Sequence, residues 1–381
     1  MKRTQYGMTL VEVLVAVAIG LIGILIITQA YLSSDSFNRA TLGEGGAQTN
    51  GTIALYTVQR DLRMSGYGMS DSRALACDNI DWYYNGAYSA NMTGGTLPNI
   101  SLAPVVITPG AGAPDAITVM YSTDASRMVP ATLTKPMPSP SAELNVDGTA
   151  GFQAGDVVLL VSDTAPVTCT MEQISTVQTA SAKIQHNSGV ATPYNPPSGG
   201  SFTAYGTNSL VFNLGTPIVN IYSVAKTDPT CTTGCQASLQ LTDNTLLGGG
   251  APVDLFDGIV DLKAQYGKDN GVNNGTVSQT TYTASDGVID SYDNTKPTTS
   301  VEWQQVLSVR LAVLARVGHY EKPATPGGNC TATTTMPTWS GSSGSPFNAI
   351  DVATASSQDR CYKYRVFETV VPLRNMIWRI S

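Results

Sequence analysis

One carboxylate stands where apolar chemistry prevails. In GMTLVEVLVA, residues 7–16, Glu12 lies between Leu10 and Val11 and a run from Val13 to Ile27 without a polar side chain. A charged side chain within a membrane helix costs on the order of 2.5–3.5 kcal/mol on insertion scales. Glu12 therefore needs either a cationic partner or a position from which it snorkels to the cytoplasmic face.

Six cysteines form the second reactive set: Cys77, Cys169, Cys231, Cys235, Cys330 and Cys361. None of their spacings is CxxC and the chain has 2 histidines, which disfavours zinc. An even count behind a membrane-targeting segment suggests disulfides in an oxidising compartment. CTTGC makes Cys231–Cys235 the local pair, with Gly234 in the turn; Cys330–Cys361 follows by proximity and Cys77–Cys169 by elimination. The alternative is that two or more of them are buried free thiols.

Oxygen ligands cluster in KDNGVNNG (268–275) and SDGVIDSYDN (285–294). Asp269, Asn270, Asn273, Asn274, Asp286, Asp290 and Asp293 offer hard donors suited to calcium, with Asp269, Asn273, Asp286 and Asp290 the core of the set. EF-hand spacing is absent, and Asn-Gly and Asp-Gly also serve as ordinary turns. His186 and His319 sit beside no recognisable nucleophile, and no GxSxG, Walker loop, HExxH or Rossmann fingerprint occurs. The sequence therefore reads as a non-enzyme without a cofactor. A net charge of −7 with no basic block argues against nucleic acid as a partner.

The elements that carry these residues follow from composition and periodicity. At 381 residues the chain can bury a substantial core, and its 13% charged residues are about half the usual share. Met8–Ile27, twenty residues apolar except for Thr9, Glu12 and glycines, would span roughly 30 Å as a helix, the thickness of a bilayer core. Lys2 and Arg3 hold its start in the cytoplasm. An amphipathic continuation reaches Gly66, with Leu55, Val58 and Leu62 as an apolar stripe for packing and GEGGAQTNG (43–51) as a weak, bend-prone stretch. From residue 67 no further helix is expected. Strand-like runs include AITVMYS, DVVLLVS, VTCTMEQIS, SLVFNLG, VNIYSVA, ASLQLT, LSVRLAVLARV and YKYRVFETVV. In 307–317 the alternation predicts a half-buried strand with Ser308, Arg310 and Arg316 on the wet face.

The short basic leader, Gly7, then Met8-Thr9-Leu10-Val11-Glu12 and the apolar helix resemble a class III signal, the type IV prepilin leader. The resemblance implies that a prepilin peptidase cuts between Gly7 and Met8 and methylates Met8, and that Glu12 is the family's glutamate. Most members begin the mature chain with Phe, where this one has Met8. A secretory signal cut after TQA (28–30) or a plain anchor would leave Glu12 without a purpose. NGTIALYTVQRDLRMSGYG is similar to the end of the first helix in PilW-type minor pilins. PDAITVMYSTD (114–124), GDVVLLVSD (155–163), VDLKAQYGKD (260–269), VLSVRLAVLAR (306–316) and YRVFETVVPLRN (364–375) continue the likeness in order.

The expected fold is α+β and type IV pilin-like, with a long N-terminal helix on a mostly antiparallel β domain. Its parts are a leader (1–7), a membrane and assembly half-helix (8–32), an amphipathic half-helix (33–66) and a globular domain (67–381). The implied function is that of a minor pilin that primes type IV pilus assembly near the tip. Its partners would be other minor and major pilins, prepilin peptidase and a PilY-type tip adhesin. The implied location is the bacterial inner membrane, N-terminus cytoplasmic, then the periplasm and the extracellular pilus. The alternatives are a J-type pseudopilin of a type II secretion system and an exported binding module on a membrane anchor.

Overall fold

A computed structural model describes residues 9–69, 74–77, 80–89, 102–123, 129–138, 143–164, 167–188, 192–196, 203–243, 250–269 and 287–377. One helix, Leu10–Met64, runs for 55 residues, about 80 Å at 1.5 Å per residue. It runs unbroken through residues 43–51. The glycines there are weak in propensity, but they let the helix lie close to the β domain. A Cβ on Gly51 would come within 2.2 Å of the Phe367 ring, and one on Gly43 within 3.2 Å of the His319 backbone nitrogen. Tertiary contact outweighs the propensity cost of roughly 1 kcal/mol per glycine. The helix stops at Met64, where Ser65 Oγ donates to Leu62 O and Gly66 takes φ +74°.

Three main sheets follow. The C-terminal sheet is antiparallel in the order Ser291–Asp293, Ile259–Lys268, Val306–Arg316, Tyr364–Pro372. The central sheet, also antiparallel, orders Val253–Asp257, Ala237–Asp243, Ile218–Lys226, Ala116–Tyr121 and Val105–Thr108. A third sheet joins Cys169–Gln173, Val157–Val161 and Leu210–Gly215 antiparallel, with Ile80–Asp81 as a parallel edge and Ala131–Thr132 on the other side. A small sheet of Thr176–Gln178, Lys183–Gln185 and Glu143–Asn145 covers one face of the third.

The main core lies between the N-terminal helix, the C-terminal sheet and the central sheet. Ala54, Val58 and Leu62 meet Val105, Ile117, Tyr222, Leu262, Val309, Leu311, Val313 and Val371 there. Leu55 packs at its margin. Val306–Arg316 is not half-buried as its alternation suggests, because both faces are covered. Ala312 and Leu314 pack beneath Trp339, Phe347, Ile350 and Val352, on a long irregular segment laid over the outer face. Arg316 on that face is buried and stacks over the Tyr362 ring at 4.2 Å while donating to Gly234 O at 2.8 Å.

Two short helices depart from the expectation of none, Ser300–Gln305 and Arg374–Ile377. The first is set by a capping box, in which Glu302 N donates to Thr299 Oγ1 and Thr299 N to Glu302 Oε2. That box is readable as TSVE, although six residues give almost no helical periodicity. Asn375 Nδ2, on the second, donates to Met64 O and Ser65 O and so closes the end of the long helix.

Candidate functional site: an assembly interface

The described part of the long helix up to Leu42 packs against almost nothing. Leu10, Ile27, Phe37 and Leu42 are each 70% exposed or more, and none of the most apolar 18-residue window is buried. Aliphatic surface of this extent is stable only in lipid or against other helices. Gly7 and Met8 lie outside the described residues.

Glu12 stands at the start of this surface as the third residue of the helix, paired with Thr9 in a capping box. Glu12 N donates to Thr9 Oγ1 and Thr9 N donates to Glu12 Oε2, both at 3.3 Å. A carboxylate in the first helical turn also complements the helix dipole. Both bonds are longer than the usual ~2.9 Å, and Glu12 is exposed, so the carboxylate can take a stronger cationic donor.

Where the helix meets the β domain, the contact begins with small residues and ends with a buried polar lock. Ala47, Gly51, Ala54 and Val58 recur at spacings of four and three residues, one face of a helix. Asp61, 2% exposed, accepts from Asn220 Nδ2 at 2.6 Å and from the Tyr222 hydroxyl at 2.7 Å. Burial and the bond to Asp61 push the Tyr222 phenol far up, so it stays a donor. Asp61 raises the Arg60 guanidinium further above its ordinary value. Sequence reasoning missed this lock, since DLR reads as a solvated charge run; the signal was that Asp61 falls on the buried face, three residues after Val58.

A second polar cluster joins the C-terminal and central sheets. Lys263 Nζ donates to Ala113 O at 2.8 Å and to Asp115 Oδ1 at 3.1 Å, and lies 3.9 Å from Asp261. Asp261 accepts from the backbone N–H groups of Leu262, Asn348 and Ala349. Burial raises its carboxyl to about 6, outweighing Lys263 and those three bonds.

The six cysteines are joined as Cys77–Cys169, Cys231–Cys235 and Cys330–Cys361, with Cα separations of 5.8, 5.7 and 4.9 Å. Of the residues weighed for calcium, Asn270, Asn273, Asn274 and Asp286 lie outside the described residues. Asp269 is buried and accepts from Gly287 N at 2.9 Å. Asp290 N pairs with Lys268 O, and Asp293 holds Lys268 at 2.7 Å. Among the described residues no group of three or more His, Cys, Asp or Glu is placed to hold a metal. His186 is buried 2.7 Å from Glu172, and His319 lies beside Gly43 near the helix.

The family described as Type IV Pilus-assembly protein W matches residues 221–375, and the prokaryotic N-terminal methylation motif matches residues 2–28. The first match takes in the whole C-terminal sheet and, of the segments singled out in sequence, VDLKAQYGKD, VLSVRLAVLAR and YRVFETVVPLRN. No curated protein and no solved structure matches the chain.

Proposed function

We propose that this PilW-type prepilin primes assembly of a type IV pilus and takes its place at or near the tip among other minor pilins. The two family matches support a minor pilin role in the type IV pilus, and the match to a pilus-assembly family favours that machine over a secretion system. The observation that carries the reading is the bare apolar half of a 55-residue helix whose other half is locked to a β domain. Such a subunit stays in the inner membrane, with its N-terminus cytoplasmic and its β domain exported, until its helix exchanges lipid for neighbouring helices. The role is structural.

In this reading, prepilin peptidase cuts between Gly7 and Met8. The new α-amine, of a type that titrates near pH 8, is mostly charged in the cell. In a bundle of parallel helices the amine on Met8 of one subunit approaches Glu12 of the next. The pair gains from the low dielectric, and either charge left alone is penalised. Register is thereby selected, because only one axial offset satisfies both groups. A PilY-type adhesin would sit above the β domain.

Cells lacking the chain should carry few surface pili, and cells carrying Glu12→Val should export and cleave the subunit but leave it out of sheared filaments. Normal pilus numbers without the chain would contradict priming. Equal incorporation of Glu12→Val at matched membrane levels would contradict the pairing.

A further inference from the structure

The Tyr364–Pro372 strand forms one side of the C-terminal sheet and has Val306–Arg316 as its neighbour. Among the described residues no backbone group pairs with its other edge. Register identifies the open groups. Val317 N donates to Lys363 O and Leu373 N to Leu307 O, each at 2.9 Å. In an antiparallel ladder the bonded pairs alternate, so odd-numbered residues from Lys363 to Leu373 bond inward. The N–H and C=O groups of Tyr364, Val366, Glu368 and Val370 point outward.

Proteins usually blunt such edges with bulges, prolines, charges or short strands. At the opposite side of the same sheet, Ser291–Asp293 is three residues long, and at the edge of the central sheet Val253–Asp257 pairs with its neighbour through a bulge. Tyr364–Pro372 spans nine residues paired without a register shift and reaches Pro372 before any proline. Both of its charges are turned onto their own chain. Arg365 bridges to Glu44 at 3.2 Å, and Glu368 accepts from Ser340 N and Oγ at 2.8 Å. Val370 is left 46% exposed.

The same contacts show what can fit. Glu44 lies by Arg365, Gly51 by Phe367, and Met64 by Asn375, so helix and strand run in the same direction. A second copy paired edge to edge about a two-fold axis would point its N-terminal helix the opposite way, and the two helices could not enter one membrane or filament together. A two-fold axis is the symmetry of most homodimers.

We infer that the Tyr364–Val370 edge is a strand-addition site for an extended segment of a different subunit of the pilus, bound through backbone hydrogen bonds with apolar side chains beside Val366 and Val370. The inference rests on the pilin reading.

The test uses the full chain made in its own cells together with the other pilus subunits. Val370→Pro removes one outward N–H, while Val370→Thr keeps it. Val370→Pro should lower co-extraction with the other pilin subunits by roughly tenfold, as one lost hydrogen bond can at its upper end, and Val370→Thr should leave it near wild type. In the wild-type complex the amides of Val366, Glu368 and Val370 should exchange with deuterium more slowly than in the chain alone, a readout that holds even if Val370→Pro misfolds. Wild-type co-extraction of a folded, cleaved Val370→Pro chain would overturn the inference. So would unchanged amide exchange, or a complex holding only copies of this chain. A cleaved wild-type chain that co-extracts with no other subunit would overturn it and leave the pilin reading intact, whereas a chain not cleaved after Gly7 would strike the pilin reading, and the inference with it.

Discussion

Asp61→Ala is the sharpest perturbation of the helix–domain lock. It deletes the acceptor of two bonds, at 2.6 Å from Asn220 and 2.7 Å from Tyr222, in a setting where Asp61 is 2% and Tyr222 0% exposed. A hydrogen bond to a charged group contributes about 1.5–3 kcal/mol, and a donor left buried without a partner adds its own penalty. Removing one partner of a buried charged pair costs about 3–5 kcal/mol in all, and that is the loss expected here. Arg60, whose side chain is 66% exposed, adds no more than a few tenths. For a chain of this size that loss lowers the melting temperature by about 2 °C per kcal/mol, hence roughly 6–10 °C. The assay is urea unfolding of a chain beginning at Ser33, as a double-mutant cycle with Tyr222→Phe. A coupling of about 1–2 kcal/mol is expected for groups in direct contact. A single-variant loss below about 1 kcal/mol with no coupling would show that Asp61 is not the lock, and the docking of the helix would then rest on apolar packing alone.

Other outcomes follow from the same structure. Asp261, raised to about 6 by burial, keeps its proton in the folded state between its unfolded value near 4 and about 6, where the unfolded chain has lost it. Stability contributed by this group therefore falls as pH rises through that window and is level above it; urea midpoints from pH 4 to 7 should show that slope in wild type and lose it in Asp261→Asn. The disulfides close loops separated by 92, 31 and 4 residues, so the chain-entropy relation ranks their stabilisation at about 4.6, 3.7 and 1.9 kcal/mol; replacing each pair by serines should reproduce that order in denaturant midpoints, and native material with six free thiols would contradict the pairing. A chain beginning at Ser33 should be soluble and monomeric, whereas one beginning at Met69 should aggregate, because it bares Val105, Ile117, Leu262, Leu311 and Val371 where Ala54, Val58 and Leu62 had covered them; light scattering of the two distinguishes the outcomes.

Local signals in the sequence were strong where one element answers to one environment. The apolar run, the leader and the stripe through Val58 and Leu62 all speak of a single helix, and runs such as AITVMYS and DVVLLVS carry enough β-branched and aliphatic residues to mark strands wherever they pair. The misreadings arise where tertiary contact decides. GEGGAQTNG looks weak and bend-prone, yet the helix runs unbroken through it, because propensity cannot anticipate the Phe367 ring pressed on Gly51. Val306–Arg316 alternates like a half-wet strand, yet Trp339 and Phe347 return from a stretch with no regular structure to cover its second face. Ile259–Lys268 is almost wholly buried, but Asp261, Lys263 and Gln265 give it a polar look; Lys263 meets Asp261 and Asp115, and Gln265 Nε2 donates to Gly341 O, pairings written nowhere in local sequence. The residues proposed for assembly follow the same division. Glu12 announces itself as a charge in an apolar run, whereas the open edge at Tyr364–Pro372 consists of backbone groups and leaves no mark in residue types.

The central claim is that this chain is processed as a prepilin so that its apolar helix can enter a filament. Mass spectrometry of the mature N-terminus tests it most directly. The account predicts a chain that begins at Met8 with a methylated α-amine, in the membrane and in sheared filaments alike. A mature chain that begins near Tyr31, or one that keeps Lys2 and Arg3, would contradict it.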